Sequence, residues 1–132
     1  MDRISTAKKS SSSESGGALS LLPRFRILRG KEIAFGPGKM ELLELVAKTG
    51  SISEAAKRME MSYMRAWSLI QTMNACFKEP VIEAVRGGHK RGGAELTATG
   101  QQVLRLYRQM EADGLKAVQT DWRALQKLLQ PR

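Results

Sequence analysis

The sequence has almost none of the residues that build metal centres and disulfide frameworks. One cysteine, Cys76, and one histidine, His89, occur among its 132 residues. A single cysteine excludes an internal disulfide, and a lone histidine without neighbouring cysteines excludes a four-ligand zinc site. We therefore expect no metal and no cofactor, and we interpret Cys76 as a small apolar residue of a helix.

Negative charge and long hydrophobic runs are also scarce. Asp and Glu number 13 against 22 Lys and Arg, which gives a formal net charge of +9 at pH 7. No apolar run approaches the roughly 20 residues that span a bilayer, and the serine-rich start lacks the apolar segment of a secretory signal. The excess of positive charge favours a polyanionic partner, nucleic acid first and an anionic membrane second. We expect double-stranded DNA as the partner, a cytoplasmic location and no membrane association.

Recognisable catalytic sets are missing as well. We find no Ser-His-Asp or Cys-His combination and no phosphate-binding loop of the form G-x-x-x-x-G-K-[ST]. The glycine-rich "GGHKRGGA" is followed by an extended "ELT" and not by a helix. The sequence therefore predicts no catalytic residues and no enzyme.

The composition divides the chain into three predicted parts. Residues 1–20 are rich in Ser, Gly and Lys without apolar periodicity, which is typical of a disordered leader. Residues 21–100 carry short periodic segments, and residues 101–132 carry one long helical pattern. We expect one small domain followed by a C-terminal helix.

The first half of the domain shows two strands and two helices. "RFRILRGKEIAFG" alternates apolar residues on both sides of a turn at Gly30, which predicts a hairpin. "GKMELLELVAKTG" predicts a helix that buries Met40, Leu43, Val46 and Ala47, with Gly50 as its C-terminal cap. "SISE" has the spacing of a capping box and begins a short second helix.

The second half predicts a third helix, a second hairpin and a long last helix. Ser62 is a plausible N-cap for a helix over about 62–77, with Ala66, Ile70, Met73 and Phe77 facing the core. "VIEAV" and "AELT" flank the glycines as two strands. Thr97 then caps a helical run to about residue 130, which Gly114 weakens locally.

This order of elements is that of a winged helix-turn-helix. The expected fold is mainly α with a small β component: a winged helix-turn-helix with a long C-terminal dimerisation helix. In such a domain one face of the third helix packs on the core and the other enters the major groove. Arg65 suits bidentate contacts to guanine, whereas Ser68 and Thr72 suit base edges or phosphates.

Basic residues at the tip of the second hairpin suit phosphates or the minor groove. The sequence neighbours of His89 are equally compatible with a phosphate contact and with plain exposure to solvent. Trp67 is interpreted as a packing residue, and Gln71 and Asn74 as solvated or bonded to backbone. The predicted DNA-binding residues are Ser51, Ser53, Ser62, Tyr63, Met64, Arg65, Ser68, Thr72, Arg86, His89, Lys90 and Arg91.

The last helix is longer than so small a domain can cover on one side. If it only capped the core, a sizeable apolar stripe would remain in water, whereas pairing with a second copy would bury that stripe. We therefore expect a homodimer. The predicted interface residues are Tyr107, Met110, Trp122, Leu125 and Leu129.

Two motifs together resemble a known family. "SYMRAW" at 62–67 and "GG-x-x-GGA-x-LT-x-x-G" at 87–100 are similar to the N-terminal DNA-binding domain of the ModE-type molybdate-responsive transcription regulators, which are related to the LysR-type winged helix. The resemblance covers about residues 25–107. It implies a homodimer on a palindromic operator. ModE-type regulators carry molybdate-binding domains after the long helix, and because the sequence ends at Arg132, we expect no molybdate site in this chain.

These observations predict a sequence-specific transcription regulator. The alternative is an architectural DNA-binding or RNA-binding module that uses the same basic surface without reading bases. A steep salt dependence without sequence preference would mark that alternative.

Overall fold

The computed structural model describes residues 17–85 and 93–130. The predicted leader lies almost wholly outside these ranges, as do Arg86, His89, Lys90 and Arg91 of the second hairpin. Contacts group the chain into two compact units, Arg24–Ala112 and a second made of Met1–Pro23 with Asp113–Arg132. No helix within the described residues has the length and apolarity needed to cross a membrane.

The first unit opens with a hairpin that the alternating apolar residues predicted. Strands β1 (Ile27–Arg29) and β2 (Glu32–Phe35) pair antiparallel, with Leu28 opposite Ile33. The turn between them requires Gly30, whose φ of 64° lies in the left-handed region.

Three helices follow and form most of the core. Helix α1 (Pro37–Thr49) begins with Pro in its first turn and ends at Gly50, which adopts the predicted left-handed cap with φ 70°. Helix α2 (Ile52–Arg58) and helix α3 (Tyr63–Cys76) complete the group. The third helix therefore ends one residue before the predicted Phe77.

Strands β3 (Ile82–Ala84) and β4 (Ala94–Leu96) pair antiparallel as the second hairpin, and helix α4 (Ala98–Ala117) leaves it. The largest fully buried side chains come from β2, α1, α3 and the residue before β3. They include Phe35, Met40, Leu42, Leu43, Val46, Met73 and Val81.

Two details of the helices differ from the sequence prediction. In α1 Leu42 is buried and Ala47 is exposed, so the buried arc of the helix is displaced from the predicted stripe toward Leu42. The C-terminal run is two helices: α4 continues through Gly114, and a turn at Val118 separates it from α5 (Gln119–Gln126). The predicted continuous helix to about residue 130 is therefore wrong, and the interruption lies at Val118 and not at Gly114.

Candidate nucleic-acid interface

A serine caps the start of both α2 and α3. The Ser51 Oγ accepts from the backbone N–H of Glu54 at 3.0 Å, and the Ser62 Oγ accepts from the backbone N–H of Arg65 at 3.0 Å. Between the helices Glu60 adopts a φ of 58°, which closes a short turn without glycine. Ala55 and Ala56 are buried and allow α2 to approach its neighbours closely. Both predicted caps are confirmed.

Helix α3 buries one side and presents the other to solvent. Ala66, Ile70 and Met73 are buried, as their spacing predicted. Three large apolar side chains are exposed on the other side: Met64 is 67% exposed, Trp67 43% and Tyr63 42%. We call this surface the α3 face. Its exposed residues are Tyr63, Met64, Arg65, Trp67, Ser68, Gln71, Thr72 and Ala75.

The predicted DNA-binding residues of α3 all lie on or beside this face. Tyr63, Met64, Arg65 and Ser68 are exposed, and Ser62 keeps its hydroxyl at the exposed start of the helix. The Thr72 hydroxyl donates to the Ser68 carbonyl at 3.0 Å, so it keeps only acceptor capacity for a ligand. The structure therefore brings these side chains together on one helix surface.

Ser51 is different from the other predicted contacts. Its residue is 6% exposed and its hydroxyl oxygen is occupied by the cap of α2. Its backbone is also held, because its N–H donates to the Thr49 hydroxyl at 3.2 Å and that hydroxyl donates to its carbonyl at 3.0 Å. The predicted phosphate contact from the Ser51 side chain is wrong, whereas Ser53 is exposed and stays a prediction.

The prediction for Trp67 differs from the structure, whereas the prediction of a solvated Gln71 agrees with it. An indole inside an apolar-rich helix suggested packing, yet Trp67 lies on the exposed side. Gln71 is likewise exposed. Around the helix Gln71 lies opposite the stripe of Ala66, Ile70 and Met73. Trp67 lies only about 60° from Ile70, at the edge of that stripe.

Asn74 connects the end of α3 to the start of the second hairpin by side-chain hydrogen bonds. Its Oδ1 accepts from the backbone N–H groups of Val81 at 2.8 Å and Ile82 at 3.1 Å. Its Nδ2 donates to the Ile82 carbonyl at 3.1 Å. The prediction that Asn74 bonds backbone is confirmed, and the result is a fixed connection between α3 and β3.

The same short segment is also fixed from the side of α4. The Thr97 Oγ1 donates to the Pro80 carbonyl at 2.6 Å and accepts from the backbone N–H of Gly100 at 3.0 Å, which confirms the predicted cap. Gly100 permits this approach, since a Cβ at that position would lie 2.1 Å from the Val81 carbonyl oxygen. The segment before β3 is thereby held between α3 and α4.

The hairpin is anchored at its base to the helix-turn-helix. Ser51 and Gly93 form an isolated antiparallel bridge, and the Ala94 N–H donates to the Gly50 carbonyl at 3.1 Å. Val85 donates its N–H to the Gly93 carbonyl at 3.0 Å, which continues the pairing toward the tip. The hairpin therefore starts from a rigid base next to the N-terminus of α2.

Tyr107 belongs to the core of the first unit and not to its surface. It is 2% exposed, its ring packs edge-on against Phe35 with centroids 5.6 Å apart, and its hydroxyl donates to the Phe25 carbonyl. Burial raises the pKa of the phenol, and the nearby Glu111 carboxylate raises it further. The predicted role of Tyr107 as a contact to a second copy is wrong, because an intramolecular hydrogen bond and ring contact occupy it.

Three of the other four predicted interface residues are exposed to solvent. In the first unit Met110 is 45% exposed, and Leu106 beside it is 48% exposed. In the second unit Leu125 is 50% and Leu129 41% exposed, while Trp122 is partly buried. Each unit thus leaves apolar side chains uncovered on its part of the C-terminal helices.

An ion-pair cluster joins α1 to α4 within the first unit. Arg108 contacts Glu44 and also Glu111, the latter at 2.7 Å, and Lys48 lies 3.9 Å from Glu44. Burial disfavours the charged Arg108 guanidinium, but its hydrogen bonds to Glu111 and Glu44 outweigh that cost and raise its pKa. Within residues 17–85 and 93–130 no group of three or more His, Cys, Asp or Glu side chains is arranged to hold a metal ion.

Comparison with known proteins identifies relatives of the central domain. Residues 38–101 match the bacterial regulatory helix-turn-helix protein, lysR family. The chain is 39% identical over 80 residues to the molybdenum transport protein ModE of Azotobacter vinelandii, which covers 61% of this chain and 30% of that protein. It is 41% identical over 71 residues to the DNA-binding transcriptional dual regulator ModE of Escherichia coli K12, covering 54% of this chain and 27% of the relative. The chain therefore spans roughly a third of the length of these relatives or less.

Solved structures agree with the sequence relatives. The DNA-binding domain of CbnR in complex with DNA superposes with a TM-score of 0.51 at 25% identity, covering 66% of this chain and 95% of that chain. Vibrio fischeri DarR in complex with DNA superposes with a TM-score of 0.50 at 17% identity, over 70% of this chain and 30% of that chain, and so shares the fold.

Proposed function

We propose that this chain, whose residues 38–101 match the bacterial regulatory helix-turn-helix protein, lysR family, is a sequence-specific DNA-binding transcription regulator. It binds a palindromic operator as a homodimer. Helix α3 enters the major groove, and the second hairpin follows the backbone or the minor groove. Its site of action is the cytoplasm, where bacterial DNA lies.

The α3 face is the observation that carries this proposal. A surface helix of a globular domain usually covers its solvent side with charged residues, whereas this face leaves Met64, Trp67 and Tyr63 open among hydroxyl and amide groups. Apolar groups next to hydrogen-bonding groups suit base edges, where thymine methyl groups lie beside donors and acceptors. The formal charge of +9 supplies the attraction to phosphates.

The remaining predicted contacts come from residues outside α3. Ser53 lies exposed near the start of α2 and offers a hydroxyl to a phosphate. Arg86, Lys90 and Arg91 supply positive charge to the backbone or the minor groove, and His89 contacts a phosphate. The Ser51 side chain is not part of the proposed interface.

The homodimer is proposed to form through the C-terminal helices. The exposed apolar residues there are costly in water and would be covered by the same residues of a second copy. A two-fold dimer presents two α3 helices to successive major grooves, and the operator then repeats with the opposite orientation about one helical turn, roughly 10 base pairs, away.

The test is selection of bound DNA from a library of random duplexes. The purified chain is expected to enrich a two-fold symmetric motif. A Ser68→Glu substitution places a negative charge on the α3 face and should abolish binding, whereas Gln102→Glu, the same charge change on exposed α4, should leave it intact. Enrichment of no motif, together with a steep salt dependence for every duplex, would instead support the architectural module.

A further inference from the structure

The α3 face has a centre line and two flanks, which the helical period separates. Met64, Ser68, Gln71 and Ala75 follow one another at intervals of four, three and four residues and are exposed. At about 100° per residue these four positions lie within about 60° of one another around the axis. They form one line along the helix, opposite the buried stripe.

Arg65 does not lie on this line. It projects about 90° around the helix from the centre, beside Thr72, while Tyr63 marks the opposite flank. A helix with its side chains is about 10–12 Å across and nearly fills a major groove about 12 Å wide. The centre line therefore meets the base edges, and the flanks meet the sugar-phosphate walls.

The centre line carries no charged residue over the described length of α3. Its groups are a thioether, a hydroxyl, an amide and a methyl. Among these the Gln71 amide is the group that pairs with one base by two hydrogen bonds, since it donates to N7 and accepts from the N6 amino group of adenine. Ala75 and Met64 suit contact with thymine methyl groups.

We propose that Gln71 is the residue by which this helix selects a base, an adenine read in the major groove, and that Arg65 binds a phosphate. This assignment rests on the proposed function and names the residue whose substitution should change the selected base. It replaces the guanine contact that the sequence suggested for Arg65. The expected half-site is rich in A·T pairs where the centre line lies.

The experiment compares motifs selected from a random duplex library by the parent and by variants of exposed residues. Gln71→Ala should leave one formerly adenine position degenerate and lower the affinity for the parent's preferred duplex by about 5- to 150-fold. Gln71→Glu should change the preference at that position to cytosine, whose N4 amino group donates to a carboxylate. A purely structural role of Gln71 would not exchange one base for another.

Arg65→Ala provides the contrast on the flank. It should lower the affinity for the preferred duplex and for a scrambled duplex by the same factor and reduce the salt slope by about one. Gln102→Ala, an exposed glutamine on α4, serves as the control and should select the parent motif.

Two results overturn the assignment. One is a Gln71→Ala variant that still selects the parent's adenine, and the other is an Arg65→Ala variant that loses a guanine from the motif. A parent chain that enriches no motif overturns the proposed function itself and the assignment with it. Thermal unfolding of each variant, matched to that of the parent, excludes loss of folding as the cause.

Discussion

The Asn74 side-chain oxygen accepts a hydrogen bond from the Val81 backbone N–H at 2.8 Å, which ties the last turn of α3 to the residue before β3. Val81 is fully buried, and its carbonyl accepts from the Thr97 N–H at 3.0 Å and lies against Gly100. One residue thus links the candidate recognition helix, the second hairpin and the start of α4. The hairpin leaves this junction in a defined direction relative to α3.

Removal of the Asn74 amide should destabilise the domain. Asn74→Ala leaves the N–H groups of Val81 and Ile82 without their partner, which costs roughly 1–3 kcal/mol of unfolding free energy. Urea denaturation followed by circular dichroism measures the change. Gln71→Ala, an exposed amide on the same helix, should shift the stability by less than about 0.5 kcal/mol. Equal effects of the two substitutions would contradict the junction described above.

A methyl group at Gly100 should be tolerated poorly. Its Cβ would lie 2.1 Å from the Val81 carbonyl oxygen, a backbone atom that cannot rotate away, so we expect Gly100→Ala to cost at least about 1–3 kcal/mol. Gly38→Ala is the matched control, because a Cβ there meets no atom within 4 Å and alanine favours the helix. Unfolding curves should show that Gly100→Ala is less stable than the parent and that Gly38→Ala is more stable. A Gly100→Ala variant as stable as the parent would show that α4 does not approach Val81 this closely.

Tyr107 predicts a stability that falls in alkaline solution. Burial and Glu111 raise the pKa of its phenol in the folded chain, whereas the unfolded chain ionises near its ordinary value of about 10. This contribution is therefore complete below about pH 10 and is lost as the pH rises toward the folded pKa. Tyr107→Phe should lose about 0.5–1.5 kcal/mol near neutral pH and show a shallower alkaline decline.

The control for this effect is Tyr63→Phe, which removes a phenol that is 42% exposed. Chemical unfolding between about pH 8 and pH 11 compares the variants across the ordinary pKa of tyrosine. A Tyr107→Phe chain whose stability declines as steeply as that of the parent would contradict the burial of the phenol.

Dimerisation should respond to charge on the exposed apolar positions of the C-terminal helices. Met110→Glu and Leu125→Glu each place a carboxylate on a side chain that is about half exposed in the single chain and buried in the proposed dimer. Sedimentation equilibrium should report a dimer for the parent and for Gln102→Glu, and monomers for the two interface variants. A parent that sediments as a monomer at micromolar concentration would rule out the dimer.

The local signals in the sequence located most of the fold. Gly50 ends α1, Ser51 and Ser62 cap the next two helices, and Thr97 caps α4, all as their side-chain chemistry and spacing predicted. Short polar side chains beside periodic apolar runs accept hydrogen bonds from the free N–H groups of a helix start. Helix starts can therefore be predicted without knowledge of tertiary contacts. The resemblance to ModE-type regulators and the winged-helix fold are likewise confirmed by the relatives.

The errors arise where tertiary contacts decide the outcome. Tyr107 fits the periodic apolar stripe expected of a dimer helix. In the structure it is buried in the core, where its ring packs on Phe35 and its hydroxyl donates to the Phe25 carbonyl. Trp67 lies at the edge of the buried stripe, about 60° from Ile70 around the helix, and the packing of the neighbouring elements leaves it exposed. The turn at Val118 contains no glycine or proline from which it could have been predicted. Nothing in these local patterns encodes the partner that each residue meets.

The most direct test of the account is the ratio of two DNA affinities. The purified chain is titrated, at about 0.15 M salt, with its selected palindromic duplex and with a scrambled duplex of the same length and composition. A sequence-specific regulator that reads bases through α3 should bind the palindrome at least about 1,000-fold more tightly. Equal affinity for the two duplexes would contradict base readout by the α3 face.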